Sequence, residues 1–309
     1  MKAARIHRFG PPDVIAIDDV PRPAPKDREV LVRVACAGVG PWDAWIREHK
    51  SVVVVSLPVT LGSDISGIVE EIGPGVSLFA VGDRVYGVTN PQFIGGYAEF
   101  ALASEHMIAR KPESLDFAAA ASVPVVGVTA WQMLFDYAEA QPGQSVLVLG
   151  AAGNVGSYAV QLATQAGLKV FATASAEDAE RVRALGASVV IDYKSVRLED
   201  AVPAVDIVLD TVGGDLRDSS IKSLRPGGVL VSVVSAMSET PGSNIRSVFF
   251  LVDVTSERLD TLTKLFDSGR LRSNVGDVLS LEEARLSHKM LDGAPHRRGK
   301  IVLRVADLL

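Results

Sequence analysis

Up to about Arg110 the chain alternates short apolar runs with glycine and proline: VLVRVACAGVG, SGIVEEIGPGV, GDRVYGV and GGYAEFALA. Apolar residues at alternate positions between turn residues predict strands and hairpins, and a compact barrel-like β domain is their simplest packing. From about Ser122 to Asn274 the rhythm changes. Apolar runs at Ser145–Leu149, Lys169–Ala174, Val189–Ile191, Val205–Leu209, Gly228–Val234 and Val248–Val254 are separated by helical stretches. Val155, Ala159, Leu162, Ala163 and Ala166 recur at the spacing of one helix face, and Gly167 is a natural stop. Glu177–Leu185 and Glu257–Phe266 read the same way. Such alternation predicts a parallel sheet covered by helices on both faces. A last helix over SLEEARLSHKMLD and a strand over GKIVLRV return the chain to its first domain. The expected organisation is α/β, with a β-barrel-type domain over residues 1–121 and 275–309 and a doubly wound parallel sheet over 122–274.

The sharpest local signal is the turn after the first of these parallel strands, Gly150-Ala151-Ala152-Gly153-Asn154-Val155-Gly156. It matches the dinucleotide fingerprint G-x-G-x-x-G with alanine in the first glycine's place. The second glycine lets backbone approach a pyrophosphate, and the third lets helix and strand pack closely. The helix that follows offers unpaired N–H groups and partial positive charge to that phosphate. A second strand arrives about thirty residues on, as the unit requires.

That second strand ends Thr173-Ala174-Ser175, where a site built for NAD usually carries Asp or Glu for the ribose 2′-hydroxyl. Ser175-Ala176-Glu177-Asp178 fits a capping box with Asp178 at N3. Ser175 could cap that helix and still meet a phosphate, with Arg181, Tyr193 and Lys194 as further donors. The expectation is NADPH over NADH.

Composition narrows the rest. With 309 residues the chain is long enough for two domains. Its net charge of −6 comes with no basic block, which disfavours nucleic acid or an anionic membrane as partner. One cysteine, Cys36, and five scattered histidines exclude a disulfide within the chain and a Cys-rich zinc site. Cys36 itself reads as a small buried residue. No apolar stretch follows the charges of MKAARIHRFG, and runs such as SVVVVSLPV fall far short of the ~20 residues of a membrane span. A cytoplasmic location without a membrane partner is expected.

In order along the chain, GPPDVIAIDDVPRPAPKDREVLVRVACAGVGPWD, LGSDISGIVEEIGPGV, GDRVYG, GGYAEF, VGVTAWQML, GAAGNVG, LGASVVIDY, LDTVGG, LRPGGVLVSV and RRGKIVL resemble the zinc-independent, zeta-crystallin-like quinone oxidoreductases of the medium-chain dehydrogenase/reductase superfamily. The resemblance covers nearly the whole chain. It implies a GroES-like N-terminal domain completed by the C-terminus, an inserted Rossmann domain, and an active site in the cleft between them. By matched position it implies that Gly153, Asn154, Val155 and Gly156 meet the pyrophosphate. Thr129 would lie near the nicotinamide, Ser175 and Tyr193 near the ribose phosphate, and Val212, Val233, Phe250 and Leu251 along the cofactor cleft.

Two departures stand out. Where zinc alcohol dehydrogenases of the superfamily place a cysteine ligand, this chain has Gly40. Where they place a histidine, it has Ser63, and their four-cysteine lobe is missing. Neither glycine nor serine supplies the ligand a zinc site needs, so no metal is expected. Many quinone reductases carry asparagine at the place of Gly40.

The expected activity is therefore metal-free hydride transfer from NADPH to a quinone. An alkenal or enone double-bond reductase, or a non-catalytic NADPH-binding module, are the alternatives. Trp42 and Asp43 are the substrate-cleft candidates. Trp42 and Trp45 either wall an aromatic-substrate pocket or pack in the core. Asp43 and Asp64 form either a proton network in the cleft or a structural ion pair with Lys300 or Arg298. The apolar SVFFLVDV stretch is expected at a sheet edge, where it would pair two copies in a homodimer.

Overall fold

The computed structural model describes residues 1–236 and 244–308. Contacts divide the chain into two compact units, Met1–Val125 together with Val254 onward, and Val126–Asp253.

In the first unit the strand Glu29–Val39 is the hub. It pairs antiparallel with Asp64–Ile72, with Phe100–Ser104 and with Lys300–Arg304. Asp64–Ile72 continues to Arg84–Val88 and then Ile108–Arg110, while Lys300–Arg304 runs parallel to Val275–Ser280. A smaller sheet places Lys2–Ile6 between Ile15–Asp19 and Val59–Thr60. Val30, Val32, Val34, Ile65, Val85 and Leu303 fill the interior. The C-terminal strand thus closes the first unit, with Leu303 opposite Ala37. Leu309, the end of the expected C-terminal segment, lies outside the described residues.

The helix Ser256–Asp267 begins at Thr255, whose hydroxyl accepts from the Arg258 N–H. Sequence periodicity assigned this helix to the parallel-sheet segment, but its contacts are with the first unit. Leu259 and Leu262 are fully buried, and Tyr86 Oη donates to the Leu259 carbonyl at 2.7 Å. Periodicity marks an apolar face and says nothing of which sheet receives it.

The second unit holds a six-stranded sheet in the order Val189–Asp192, Lys169–Ala174, Ser145–Leu149, Val205–Asp210, Leu224–Ser232, Arg246–Phe249. All five pairings are parallel. In chain order the strands run third, second, first, fourth, fifth, sixth, so the winding reverses beside Ser145–Leu149, where open α/β sheets bind ligands. Leu147, Leu149, Phe171, Val208 and Leu230 form one side of its core.

Two local expectations are corrected. The sixth strand, foreseen as far as Val254, stops at Phe249. Phe250 stacks on Tyr137 with ring centroids 4.2 Å apart, and the Asp253 N–H donates to Gln132 Oε1 at 2.9 Å instead of to a ladder. The helix after Ser175 opens as a tight 3-10 turn, Ala176–Asp178, before Ala179–Ala184 becomes α-helical. Among the described residues no helix is long and apolar enough to cross a membrane.

Candidate active site

In the second unit the turn after Ser145–Leu149 is fixed by backbone geometry. Gly150 takes φ +74°, open to glycine at no steric cost. Its N–H donates to Thr173 Oγ1 at 3.0 Å, and the Ala151 N–H donates to the Thr173 carbonyl at 3.0 Å. The tip of the second strand therefore braces the turn. A Cβ on Gly156 would lie 2.2 Å from the Gly150 carbonyl oxygen, so only glycine lets the helix start this close to the strand. Ala151, in the first glycine's place, is fully buried.

The helix Asn154–Gln165 follows Gly153 with no side-chain cap and no acid in its first turn. Its leading N–H groups and the positive end of its dipole are left for an anion. These residues fit the pyrophosphate of a dinucleotide.

Strand register puts the other cofactor candidates along the same sheet edge. Asp210 is level with Leu149 and with Ser232, and Ser232 with Phe249. Gly150, Val212, Val233, Phe250 and Leu251 all follow that edge. Val212 and Leu251 are exposed, whereas Phe250 is buried against Tyr137. Thr129 is buried in the helix Pro124–Trp131, and Tyr193 follows the third strand, exposed. Asp210, unremarked in the sequence, organises the turn after its strand. Its Oδ1 accepts from the N–H groups of Val212 (3.0 Å) and Gly213 (2.7 Å), and its Oδ2 from Ser232 Oγ (2.7 Å).

Ser175 departs from expectation. Its hydroxyl does not cap the helix; it donates to Asp178 Oδ2 at 3.0 Å. The tight first turn brings the Asp178 carboxylate back onto the serine, so the strand tip that lacks an acid in sequence has one in space. Arg181 answers it. One Nη2 lies 3.4 Å from Asp178 Oδ1 and donates to the Ala152 carbonyl of the glycine turn at 2.6 Å.

In the first unit the side chains around Gly40 form a buried polar cluster. Gly40 precedes the helix Pro41–Arg47, and Asp43 at N3 reaches back to accept the Gly40 N–H at 2.8 Å. The same Oδ2 accepts from Tyr97 Oη at 2.8 Å, while Oδ1 has no partner among the described residues. The Tyr97 ring lies against Gly62, itself at φ +85°. Asp43 is wholly buried, and burial pushes its carboxyl up to about 7, against the pull of the Gly40 N–H, Lys300 and Tyr97. Burial and the adjacent Asp43 raise the Tyr97 hydroxyl well above its ordinary range.

Beside it, Lys300 Nζ sits 3.0 Å from Asp64 Oδ2, an ion pair with both partners buried. Asp64 Oδ1 also accepts the Val125 N–H at 3.1 Å. Burial raises the Asp64 carboxyl against the opposing pull of Lys300. Lys300 Nζ lies 4.1 Å from the centre of the Trp42 ring, a cation–π contact. The indole Nε1 donates to Ser63 Oγ at 3.0 Å. Trp42 is half-buried, whereas Trp45 is half exposed and no part of the core. Further in, Arg47 Nη1 donates to His288 Nδ1 at 2.9 Å. Guanidinium only donates, so the His288 proton sits on Nε2. Burial and Arg47 press this imidazole down to about 3.

Among the described residues no group of three or more His, Cys, Asp or Glu is arranged to hold a metal. Sequence reasoning named Trp42, Asp43 and Asp64 but missed Ser63 as the indole's acceptor and gave Tyr97 and His288 no role in the site. No spacing rule joins residues this far apart in the chain.

A six-stranded parallel sheet with a glycine turn at its reversal, and a β unit closed by the C-terminal strand, define a medium-chain dehydrogenase/reductase. Comparison with known proteins agrees. Residues 26–113 match the alcohol dehydrogenase GroES-like domain, and residues 185–303 match the zinc-binding dehydrogenase domain. A quinone oxidoreductase of Sus scrofa is 34% identical over 98% of this chain and 97% of its own length. The chloroplastic NADPH-dependent alkenal/one oxidoreductase of Arabidopsis thaliana is 33% identical over 98% of this chain and 79% of its own. The structure of the quinone oxidoreductase from Coxiella burnetii superposes with a TM-score of 0.90, at 35% identity, over 99% of each chain. The chain belongs to the quinone oxidoreductase family of the medium-chain dehydrogenase/reductase superfamily, and it is an oxidoreductase.

Proposed function

We propose that this enzyme reduces a quinone with NADPH and without zinc. The observation that carries the reading is the donor set around Gly40. Glycine has no ligand atom, and the Ser63 hydroxyl already accepts from the Trp42 indole. Of the nearby carboxylates, Asp43 Oδ2 is engaged by Gly40 and Tyr97, and Asp64 by Lys300 and Val125. Zinc needs about four converging N, S or O ligands, and these residues do not fit it. A simple ketone would call for strong stabilisation of its developing alkoxide, whereas a quinone accepts a hydride with little such help.

The nicotinamide supplies the hydride when bound. The chain binds and orients: Gly150, Ala151, Ala152, Gly153, Asn154, Val155 and Gly156 receive the pyrophosphate. Val212, Val233, Phe250 and Leu251 line the cofactor along the sheet edge, with Thr129 toward the nicotinamide. Tyr193, Ser175 and Arg181 meet the ribose phosphate. NADPH is favoured because the acid at this tip, Asp178, is already engaged by Ser175 and Arg181. On the acceptor side Trp42 contacts the substrate. Asp43, sealed from solvent, positions Gly40 and Tyr97 and holds a proton near neutrality.

We further propose a homodimer through the edge strand Arg246–Phe249. Only one of its sides is paired among the described residues, and Phe249 and Leu251 lie exposed beside it. A monomer mass by sedimentation at micromolar concentration overturns the dimer.

The activity is tested by anaerobic consumption of NADPH and of NADH by chelator-treated protein, with 1,4-benzoquinone as acceptor. Chelator-resistant turnover that prefers NADPH is expected. Turnover lost with the chelator and restored by zinc overturns the metal-free reading. Equal use of the two cofactors overturns the NADPH preference. Tight NADPH binding with no turnover of quinone or enone points to the binding module instead.

A further inference from the structure

Gly40 has φ −137° and ψ 164°, extended backbone that any residue adopts, so its conformation does not demand glycine. Space does. A Cβ built there would lie 2.3 Å from Cη2 and Cζ2 of Trp42 and 2.5 Å from Cε2. The indole therefore occupies the volume that a side chain at position 40 would fill, and the two are mutually exclusive. The ring has two anchors of its own. Its N–H donates to Ser63 Oγ (3.0 Å), and the Lys300 ammonium stands 4.1 Å from its centre. Ser63 and Lys300 are themselves buried, the lysine held by Asp64, so the anchors are fixed. Trp42 is only half-buried, which leaves part of the indole uncovered.

We infer that Trp42 is a specificity-determining residue, an indole that replaces the side chain at position 40 and gives the acceptor site an aromatic wall selective for planar conjugated rings over short acyclic enals. The inference rests on the proposed hydride transfer and adds the choice of acceptor. A flat electron-poor ring stacks on an indole in an offset arrangement, which an aliphatic enal cannot match. Such stacking is worth about three- to tenfold in affinity.

The test is a double-mutant cycle of Gly40→Ala and Trp42→Ala, with Trp42→Leu as a second variant that keeps apolar bulk without the ring. Two readings are taken. The first is the ratio of kcat/KM for 1,4-benzoquinone to that for trans-2-hexenal. The second is the emission of Trp42, without ligand, in a Trp45→Phe, Trp131→Phe background. Trp42→Ala and Trp42→Leu are expected to lower the ratio about three- to tenfold. Gly40→Ala should shift the emission and lower the ratio similarly, yet change nothing further once Trp42 is alanine. An unchanged ratio in both Trp42 variants, or additive effects of the two substitutions, overturns the inference while the proposed activity stands. A wild-type protein that reduces neither acceptor overturns the activity and this inference with it.

Discussion

The two units hold their sites by opposite means. In the second unit the glycine turn is backbone: positive φ at Gly150, close approach at Gly156, and an uncapped helix start at Asn154. Few side chains are needed: Thr173 accepts the Gly150 N–H at its hydroxyl, and Arg181 donates to the Ala152 carbonyl. In the first unit the region around Gly40 is side-chain chemistry buried in a β core. Asp43, Asp64, Lys300, Ser63 and Tyr97 are all sealed from solvent. A site made of backbone tolerates exchange of its side chains but not of its glycines. A site made of buried charges tolerates little, since each charge relies on its partner for the solvation it has lost.

That contrast predicts its largest effect at Lys300. Lys300→Met removes the cation and leaves the wholly buried Asp64 with the Val125 N–H as its one donor among the described residues. Loss of one partner of a buried pair destabilises by about 3–5 kcal/mol. Urea unfolding should show that loss, and the double variant Lys300→Met, Asp64→Asn should recover much of it. If Lys300→Met unfolds at the wild-type urea concentration, the buried pair does not support the first unit.

The next effect is a change of slope with pH. Asp43 is held near 7 in the fold, above its ordinary 3.8, so the folded state binds the extra proton between those values. Its contribution is fully present below about 4 and is lost as pH rises toward 7. His288, pressed from 6.5 to about 3, works in reverse: its contribution is present above 6.5 and is lost as pH falls toward 3. Between about 4.5 and 6.5 the two slopes oppose. Asp43→Asn removes one of them, so its stability should rise with pH there relative to wild type, by up to about 1.4 kcal/mol per pH unit. Parallel urea midpoints across that window for the two proteins would show that Asp43 does not titrate in the fold.

The same contrast governs what the sequence discloses. Backbone sites leave marks at fixed spacing, so Gly150, Gly153 and Gly156, the two strands around them and the stop at Gly167 are legible in the order of residues alone. The strands Ser145–Leu149 and Lys169–Ala174 fall on the apolar runs residue for residue. Side-chain clusters leave no such mark. Gly40, Ser63, Tyr97 and Lys300 meet because hydrogen-bond register puts Gly38 opposite Asp64 on one side and Val302 on the other. That pairing follows from tertiary packing. Gly40 illustrates the limit well. As a residue missing its ligand it is visible in the sequence, but the indole that fills its place is visible only in three dimensions. Ser175 shows the converse error. A correct residue pattern for a capping box yields a serine turned onto Asp178, because local hydroxyl–carboxylate bonding competes with the cap.

If the second unit's site is backbone, adding a single methyl should harm it more than removing a side chain. Gly156→Ala drives a Cβ to within 2.2 Å of the Gly150 carbonyl oxygen, a backbone atom that cannot swing away. Helix and strand must part, at about 1–3 kcal/mol, and the phosphate cradle parts with them. NADPH affinity measured by fluorescence titration should fall about tenfold or more. Unchanged affinity would mean that the turn adjusts without loss and that its glycines are not what fits it to a dinucleotide.

The smallest effect separates the turn from the strand tip beside it. Arg181 is the one cationic side chain shown bonding to the glycine turn among the described residues, through the Ala152 carbonyl, and it also stands by Asp178, while its Nε has no partner among them. Arg181→Ala loses the bond to the Ala152 carbonyl, a charge-assisted hydrogen bond from a partly exposed residue worth about 1 kcal/mol, and the longer one to Asp178. In the turn alone, that loss would weaken NADPH and NADH equally. At the strand tip it does more, because it removes the cation beside the Asp178 carboxylate, which repels a 2′-phosphate and accepts from a 2′-hydroxyl. The NADPH dissociation constant should therefore rise about fivefold while that of NADH stays within about twofold or falls. If both constants rise together, Arg181 serves the backbone turn only. The preference for phosphate would then rest on Ser175 and Tyr193 without it.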